Sequence, residues 1–387
     1  MSIYIYILLE LIILSIVANP SSTKEKPNSI GLLVAFVSMY AVMAMKAPSV
    51  GRDVSGYKSI YEMISLLPAE NYDVSWMENG FEFLMMISSH VLHLQFQSFM
   101  ACVYAFAYLS YYCFIKRYSK DPILSTIVYL CFTFFTFDCS AIRNMLAVSI
   151  CLNAVRFTED RNLASFILFL LITLCATSIH KSAFVFLLFY PIARASLHAG
   201  SIAAILFVVS SIFLLRTQLY QLIDTYLKTV EESAITIGGN LIFYLSVLVF
   251  AYNSSILTIR KLNERKTNQT IAQTDYIYDA PIVNSEEKQL SKDNEKLLYD
   301  IDMVALKAIS TGILLQLFAS GSVLSRSAQY YQFFIIIALP NSLESLDRKS
   351  KWFLRVLIIL FCIAYFIRYS LIANQLDIVP YAFYWSV

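Results

Sequence analysis

A few ionisable side chains stand inside or directly beside long apolar segments of this 387-residue chain. Arg143 opens one such segment, the pair His180 and Lys181 separates two others, and Arg326 opens another. Ionisable groups at membrane depth are energetically costly, so each of these side chains is a candidate functional residue.

Two nearby polar stretches add Arg52, Asp53, Tyr57 and Glu78 to this set. Arginine suits phosphate because its planar guanidinium donates two parallel hydrogen bonds and stays charged. A neutral histidine or a carboxylate could take a proton from a hydroxyl. These groups together could stabilise a diphosphate leaving group while a sugar hydroxyl attacks, which is glycosyl transfer from a lipid diphosphate. The same residues would equally suit the transport of an anion or a lipid.

Each candidate also has a purely structural explanation. Arg143 could pair with Asp138 and anchor a helix end, and Arg326 could extend towards the membrane interface. His180 could be a hydrogen-bonded structural histidine, and the carboxylates could simply order their loops. The functional interpretation therefore depends on a topology that brings all of these residues to one side of a membrane.

The composition predicts an all-α polytopic membrane protein. Hydrophobic residues make up 58% of the chain and charged residues 14%, whereas soluble domains have about 25% charged residues. A net charge of +2 without a long basic tract gives no reason to expect nucleic-acid binding. The seven cysteines lie mostly in apolar segments, so we expect buried hydrophobic side chains and neither a metal site nor a cofactor.

About 20 apolar residues are needed to cross a bilayer. On this criterion residues 1–387 form a single transmembrane domain of about 12 spans, with a range of about 11 to 14. The predicted spans are residues 3–18, 29–46, 98–115, 122–138, 141–157, 163–179, 181–196, 199–215, 239–259, 303–320, 326–341 and 351–372.

The positive-inside rule fixes the predicted orientation. All basic clusters become cytoplasmic if the apolar residues 80–94 form a re-entrant or interfacial helix at the outer surface. Residues 47–97 are then an extracytoplasmic loop, and residues 260–301 are a polar cytoplasmic loop. All the candidate functional residues face the outside in this arrangement.

Several short patterns in a fixed order resemble the EpsG-like, Wzy-type polymerases of bacterial surface polysaccharides. The family patterns are G-x-D-T-x-x-Y, E-x-G-[YF]-x-x-L, S-x-x-R-Q-x-[LI]-A, H-x-[ST]-A, a late R-x-x-x-Y and a tail motif. In this chain they correspond to GRDVSGY at 51–57, ENGFEFL at 78–84, SAIRNMLA at 140–147, HKSA at 180–183, RSAQY at 326–330 and PY at 380–381. The chain departs from them at Val54 (Thr in the family), at Asn144 (Gln) and at Lys46, where an arginine is often found.

The resemblance implies a glycosyltransferase C-like bundle in the bacterial cytoplasmic membrane, with the active site on the outer face. It implies transfer of a growing glycan from undecaprenyl diphosphate to the non-reducing end of a lipid-linked repeat unit. The implied partners are an undecaprenyl-diphosphate-linked oligosaccharide, membrane lipid and a possible chain-length regulator protein. No nucleotide sugar and no obligatory metal is expected.

On this hypothesis Arg143 and Arg326 hold the donor diphosphate, and His180 activates the acceptor hydroxyl or contacts phosphate. Asp53 and Glu78 order the outer loop or bind acceptor hydroxyls, and either could be the base in place of His180. The predicted substrate contacts are Arg52, Tyr57, Asn144 and Tyr330. Two alternatives stay open, which are a flippase or exporter of lipid-linked oligosaccharides and a ligase of the same membrane glycosyltransferase class.

Overall fold

The computed structural model describes residues 2–17, 29–66, 77–160, 162–195, 247–248, 251–252, 301–316 and 325–386. The predicted span 199–215 lies outside the described residues. So do the predicted span 239–259, except for two pairs of residues, and the predicted loop 260–301, except for its last residue.

The described part of the chain is almost entirely helical, and no strand forms within it. The first helices are α1 (Ser2–Val17), α2 (Ser29–Met45), α3 (Val54–Leu66), α4 (Asn79–Met86), α5 (Phe96–Tyr118), α6 (Pro122–Cys131), α7 (Phe134–Asp138), α8 (Ile142–Ala154) and α9 (Leu163–Ile179). The later ones are α10 (Phe189–Arg194), α11 (301–316), α12 (Ser325–Gln332), α13 (Ile335–Ser342) and α14 (Arg348–Tyr365). Shorter 3₁₀ or π-helical segments are Ile87–Val91, Val155–Thr158, Lys181–Leu188, Leu343–Ser345 and Phe366–Ile372.

Two of the described helices are long and apolar enough to cross a membrane, judged by length and composition. They are α5, with 23 residues, and the 25-residue helix Arg348–Ile372 that α14 forms with its π-helical extension. Shorter apolar helices are Ile3–Val17, Ser29–Met45, Pro122–Cys131 and Leu163–Ile179. The architecture is that of an all-α membrane protein, while the number of about 12 spans stays a prediction.

Several predicted spans are interrupted, which corrects the sequence-based boundaries. The segment 122–138 is divided between α6 and α7 at Thr133, whose φ of 67° lies in the left-handed region. The segment 326–341 is likewise divided between α12 and α13, and the segment 181–196 begins as a 3₁₀ helix. Hydropathy does not reveal such breaks because the residues beside them, such as Phe132 and Phe134, are apolar and buried.

Contacts near the helix ends show how α1 and α14 run relative to each other. Near the start of α1, the Tyr4 hydroxyl donates to the carbonyl of Ile378, which follows α14, over 2.9 Å. Near the end of α1, the Ser15 carbonyl accepts from Arg355, which lies near the start of α14. The helices α1 and α14 are therefore antiparallel.

The basic clusters gather at one end of the bundle. Arg117 at the end of α5 pairs with Glu159, which follows α8, over 2.7 Å. At the same end, Lys120 pairs with Asp302 and Arg355 pairs with Asp121, each over 2.7 Å. The start of α8 and the end of α9, which carry Arg143 and His180, must therefore lie at the opposite end.

Candidate active site

The centre of the candidate site is the carboxylate of Glu78, which directly precedes α4 and is 8% exposed. One oxygen, Oε2, accepts a charged hydrogen bond from Nη1 of Arg143 at the start of α8. The other, Oε1, lies 2.9 Å from Nδ1 of His180 and accepts the Lys181 backbone N–H over 3.1 Å. Three segments that are distant in sequence therefore meet at one carboxylate.

Tyr57 on α3 is the second partner of Arg143. The guanidinium Nε donates to the Tyr57 hydroxyl over 3.0 Å, and the Tyr57 ring packs edge-on against Phe81 of α4. Burial raises the pKa of Tyr57, while the positive charges of Arg143 and Arg326 oppose that effect. The hydroxyl is therefore neutral at physiological pH and serves as an acceptor for Arg143.

Glu78 is ionised and fully engaged in this arrangement. Burial alone raises the pKa of its carboxyl, but His180, Arg143 and the Lys181 backbone N–H outweigh burial and lower the pKa to about 2. An ionised carboxylate can only accept hydrogen bonds, so Nδ1 of His180 donates to Glu78. The other ring nitrogen, Nε2, is then a proton acceptor; it is buried and forms no hydrogen bond with the described residues.

Two motif glycines let the backbone segments of the site approach closely. A Cβ on Gly80 would lie 2.6 Å from the carbonyl oxygen of Ser178, so the start of α4 packs directly against the end of α9. Gly51 has a φ of +100°, and a Cβ there would collide with the Cys139 carbonyl. These contacts bring the loops of Glu78 and Asp53 against the segments that carry His180 and Arg143.

Lys46 connects the loop at 47–53 to the turn before α8. Its buried ammonium donates to the carbonyls of Val50, over 2.6 Å, and Cys139, over 2.9 Å. A second connection is the Asp53 backbone N–H, which donates to the Ser140 hydroxyl over 3.2 Å. Lys46 therefore has a positioning role close to the candidate site.

The C-terminal tail forms hydrogen bonds with the same loop. The backbone N–H groups of Gly51 and Arg52 donate to the carbonyls of Asp377 and Leu376, and Tyr381 donates to the carbonyl of Val42 at the end of α2. The Arg52 side chain pairs with the Asp377 carboxylate over 3.2 Å, and both groups are exposed. The structure thus places Arg52 on the tail and not among the groups around Glu78.

Helix α12 brings the late motif beside the site. Arg326 is exposed and makes no ion pair with any residue in the described ranges. The Tyr330 hydroxyl lies 3.3 Å from the Ser182 hydroxyl. The Asn144 amide donates to Gln329, while the Asn144 carbonyl oxygen is buried and has no hydrogen-bond partner in the described part of the chain.

The structure therefore joins four of the predicted residues in one chain of hydrogen bonds, which runs from Tyr57 through Arg143 and Glu78 to His180. The negative charge of Asp53 and the positive charge of Arg326 both act on Tyr57, so these two residues border the group. The alternative pairing of Arg143 with Asp138 is not formed, because the Asp138 carboxylate accepts from the buried hydroxyl of Tyr129 over 2.6 Å.

Sequence reasoning did not select Gln329 and Ser182, which bind Asn144 and Tyr330. The signal that could have found them is a polar side chain within or directly before an apolar span. Within the described ranges, no group of three or more His, Cys, Asp or Glu residues is arranged to hold a metal ion.

The arrangement is chemically specific. An ionised carboxylate orients a histidine whose second nitrogen can accept a proton, and two arginines supply positive charge for an anion.

Among comparisons with known proteins, a family model described as EpsG family matches residues 29–383, nearly the whole chain and all of the candidate residues. No curated protein and no solved structure matches the chain.

Proposed function

The chain belongs to the EpsG family of Wzy-like polysaccharide polymerases, and from this premise we propose that it elongates a surface polysaccharide. In the proposed reaction, a growing glycan moves from undecaprenyl diphosphate to the non-reducing end of a lipid-linked repeat unit. The reaction takes place at the outer face of the bacterial cytoplasmic membrane. The observation that carries this proposal is the contact of Glu78 with both Arg143 and His180, at the bundle end opposite the basic clusters.

The proposed step transfers one proton and exchanges one bond. His180 Nε2 accepts the proton of the acceptor hydroxyl while the hydroxyl oxygen forms a bond to the anomeric carbon of the donor glycan. The bond between that carbon and the diphosphate oxygen breaks, and undecaprenyl diphosphate leaves with the electron pair. Glu78 holds the imidazole orientation and stabilises the imidazolium as it forms.

Glu78 is a poor candidate for the base itself. Its pKa of about 2 makes it a weak proton acceptor at neutral pH, and both of its oxygens already accept hydrogen bonds. Asp53 is the alternative base, because its carboxylate has no hydrogen-bond partner within the described ranges and lies near Tyr57. In this assignment Glu78 is a positioning residue.

The two arginines have different roles in the proposal. Arg143 is half-buried and its charge is balanced by Glu78, so it provides a fixed hydrogen-bond donor for the substrate diphosphate. Arg326 is exposed and is the better first contact for an arriving diphosphate. Together they would stabilise the negative charge that develops on the leaving group.

The test uses the purified full chain in detergent with a repeat unit linked to undecaprenyl diphosphate, and product size is followed on a gel. Wild type is compared with Arg143→Ala and His180→Ala, and with Lys349→Ala as a control on the exposed basic end. We expect a ladder of products from wild type and the control, and no ladder from the two site variants. A full ladder from either site variant would refute its assigned role.

The same preparation separates the alternatives. Movement of the lipid-linked sugar across a proteoliposome bilayer without a ladder would identify a flippase. A single addition to a different lipid or protein acceptor, again without a ladder, would identify a ligase.

A further inference from the structure

A cavity of about 430 Å³ opens on the surface of the described part of the chain. It is formed by α3, by the residues that lead into α5, and by the C-terminal tail. The lining residues that matter for its chemistry are Lys58, Tyr61, Glu62, Gln95, Gln97 and Tyr384.

Two aromatic rings form walls of this cavity. Tyr61 is 2% exposed; its hydroxyl donates to the Leu94 carbonyl over 2.8 Å, and its ring stacks on Phe99. Tyr384 is 46% exposed, and its backbone N–H is held by the Met45 carbonyl over 3.0 Å. The exposed ring of Tyr384 offers a packing surface for the C–H face of a sugar ring, and the buried Tyr61 gives the cavity a rigid wall.

The polar groups of the lining include both donors and acceptors. Gln97 is fixed in place because its amide donates to the carbonyls of Ala44 and Lys46. Lys58 and Glu62 form an exposed pair 3.6 Å apart, one helical turn from each other, and Gln95 is exposed beside them. A sugar ring with several hydroxyls requires this mixture.

Other ligand classes fit this lining less well. The described lining residues include no arginine, and Glu62 would repel the negative charge of a diphosphate. A lipid chain would leave the amide and charged side chains without hydrogen-bond partners. The observations therefore favour an uncharged or weakly charged glycan.

The cavity and the Glu78 site are connected along α3. Tyr57, which binds Arg143, and Tyr61, which lines the cavity, are separated by four residues on this helix. Four helical residues span roughly 6 Å, which is a distance on the scale of one sugar unit. Helix α3 therefore contributes one residue to each site, one helical turn apart, which is the spacing that an acceptor glycan extending from the Glu78 site requires.

From this geometry we infer that the cavity is an acceptor subsite, which binds the sugars next to the attacking one in the lipid-linked repeat unit. The inference rests on the proposed function and specifies which part of the substrate the chain recognises apart from the diphosphate.

The experiment measures binding of the lipid-free repeat-unit oligosaccharide to the purified full chain by saturation-transfer NMR and calorimetry. The cavity variants are Glu62→Gln, Gln95→Ala and Tyr384→Ala. The matched control is Glu344→Gln, which removes a carboxylate that pairs with Lys351 at the opposite end of the bundle. Thermal unfolding in detergent verifies that each variant is folded.

We expect each cavity variant to weaken oligosaccharide binding by about fivefold, the effect of one lost hydrogen bond or ring contact. In the polymerisation assay the same variants should raise KM for the acceptor and leave kcat within about twofold. Glu344→Gln should bind like wild type, and so should Arg143→Ala, although the latter makes no polymer.

The outcomes distinguish the subsite from the polymerase. If wild type binds the oligosaccharide through the cavity but forms no ladder, the subsite proposal is supported and the polymerase proposal is refuted. Wild type that fails to bind the oligosaccharide would overturn the subsite. A ladder with an unchanged acceptor KM in all three cavity variants would also overturn it, while the polymerase would stand.

Discussion

Replacing Glu78 with glutamine tests the central contact of the site with minimal change in shape. The amide retains one acceptor oxygen but loses the negative charge, and its NH₂ group must face either Arg143 or His180. Each of these offers a donor to Glu78, so at least one hydrogen bond is replaced by two opposed donors. Arg143 also loses the charge that balances its half-buried guanidinium.

The size of the effect follows from the pKa of Glu78. Its lowering from 4.5 to about 2, at about 1.4 kcal/mol for each pH unit, corresponds to about 3 kcal/mol of stabilisation of the folded, ionised form. We expect Glu78→Gln to reduce the free energy of unfolding by about this amount at pH 7. Loss of the oriented imidazole should also lower kcat by about 100-fold or more.

The pH dependence gives a further, independent test. Because the folded-state pKa lies below the ordinary value, the contribution of Glu78 is complete above pH 4.5 and is lost as the pH falls from 4.5 towards 2. The difference in unfolding free energy between wild type and Glu78→Gln should therefore shrink as the pH falls below 4.5.

Denaturation in detergent across this pH range, together with the ladder assay, provides both measurements. Glu344→Gln is the control, since its exposed ion pair should contribute little to stability. The reasoning is refuted if Glu78→Gln is as stable as wild type at pH 7. It is also refuted if the stability difference changes mainly between pH 8 and pH 6, because another group would then be titrating.

Three further substitutions test how the site is assembled. Arg326→Ala should lower activity on the lipid diphosphate by about tenfold or more without changing thermal stability, and a loss of stability would show that the arginine is structural. Gly80→Ala should destabilise the chain by about 1–3 kcal/mol, because its Cβ would overlap Ser178, whereas Gly56→Ala on α3 meets no atom within 4 Å and should be neutral or slightly stabilising. Lys46→Met leaves two buried carbonyls without their donor and should lower the free energy of unfolding by about 1–3 kcal/mol. Lys46→Arg should restore part of this stability. Equal stability of Lys46→Met and wild type would contradict the positioning role.

The candidate residues could be found from the sequence because charge is scarce in so apolar a chain. Ionisable groups at membrane depth are costly, which makes Arg143 and His180 candidate functional residues, with a pairing of Arg143 and Asp138 as the structural alternative. Which carboxylate they share could not be predicted, since Asp138 is much closer in sequence to Arg143 than Glu78 is. Packing decides the choice, because Tyr129 already binds Asp138, and Gly80 brings Glu78 against the end of α9.

The fold was predictable to a similar degree. Long apolar segments indicate helices, and the described part of the chain is almost entirely helical. The basic clusters lie at the end of the bundle opposite Arg143 and His180, while the side of the membrane that each end faces stays a prediction. The break at Thr133 was not predictable, because a left-handed residue within a buried apolar segment leaves no trace in hydropathy. The attachment of the tail to the Gly51 loop was also missed, since it depends on backbone hydrogen bonds that any sequence can form.

The attachment of the tail has a consequence for the timing of biogenesis. Arg52 and Asp377 are 325 residues apart, so the loop that borders the site gains this support only after α14 has been synthesised and inserted. Contacts between such distant residues form late and slowly. A chain without its tail would therefore lack this support for the loop at 51–53, and we expect its Glu78 site to be incompletely ordered.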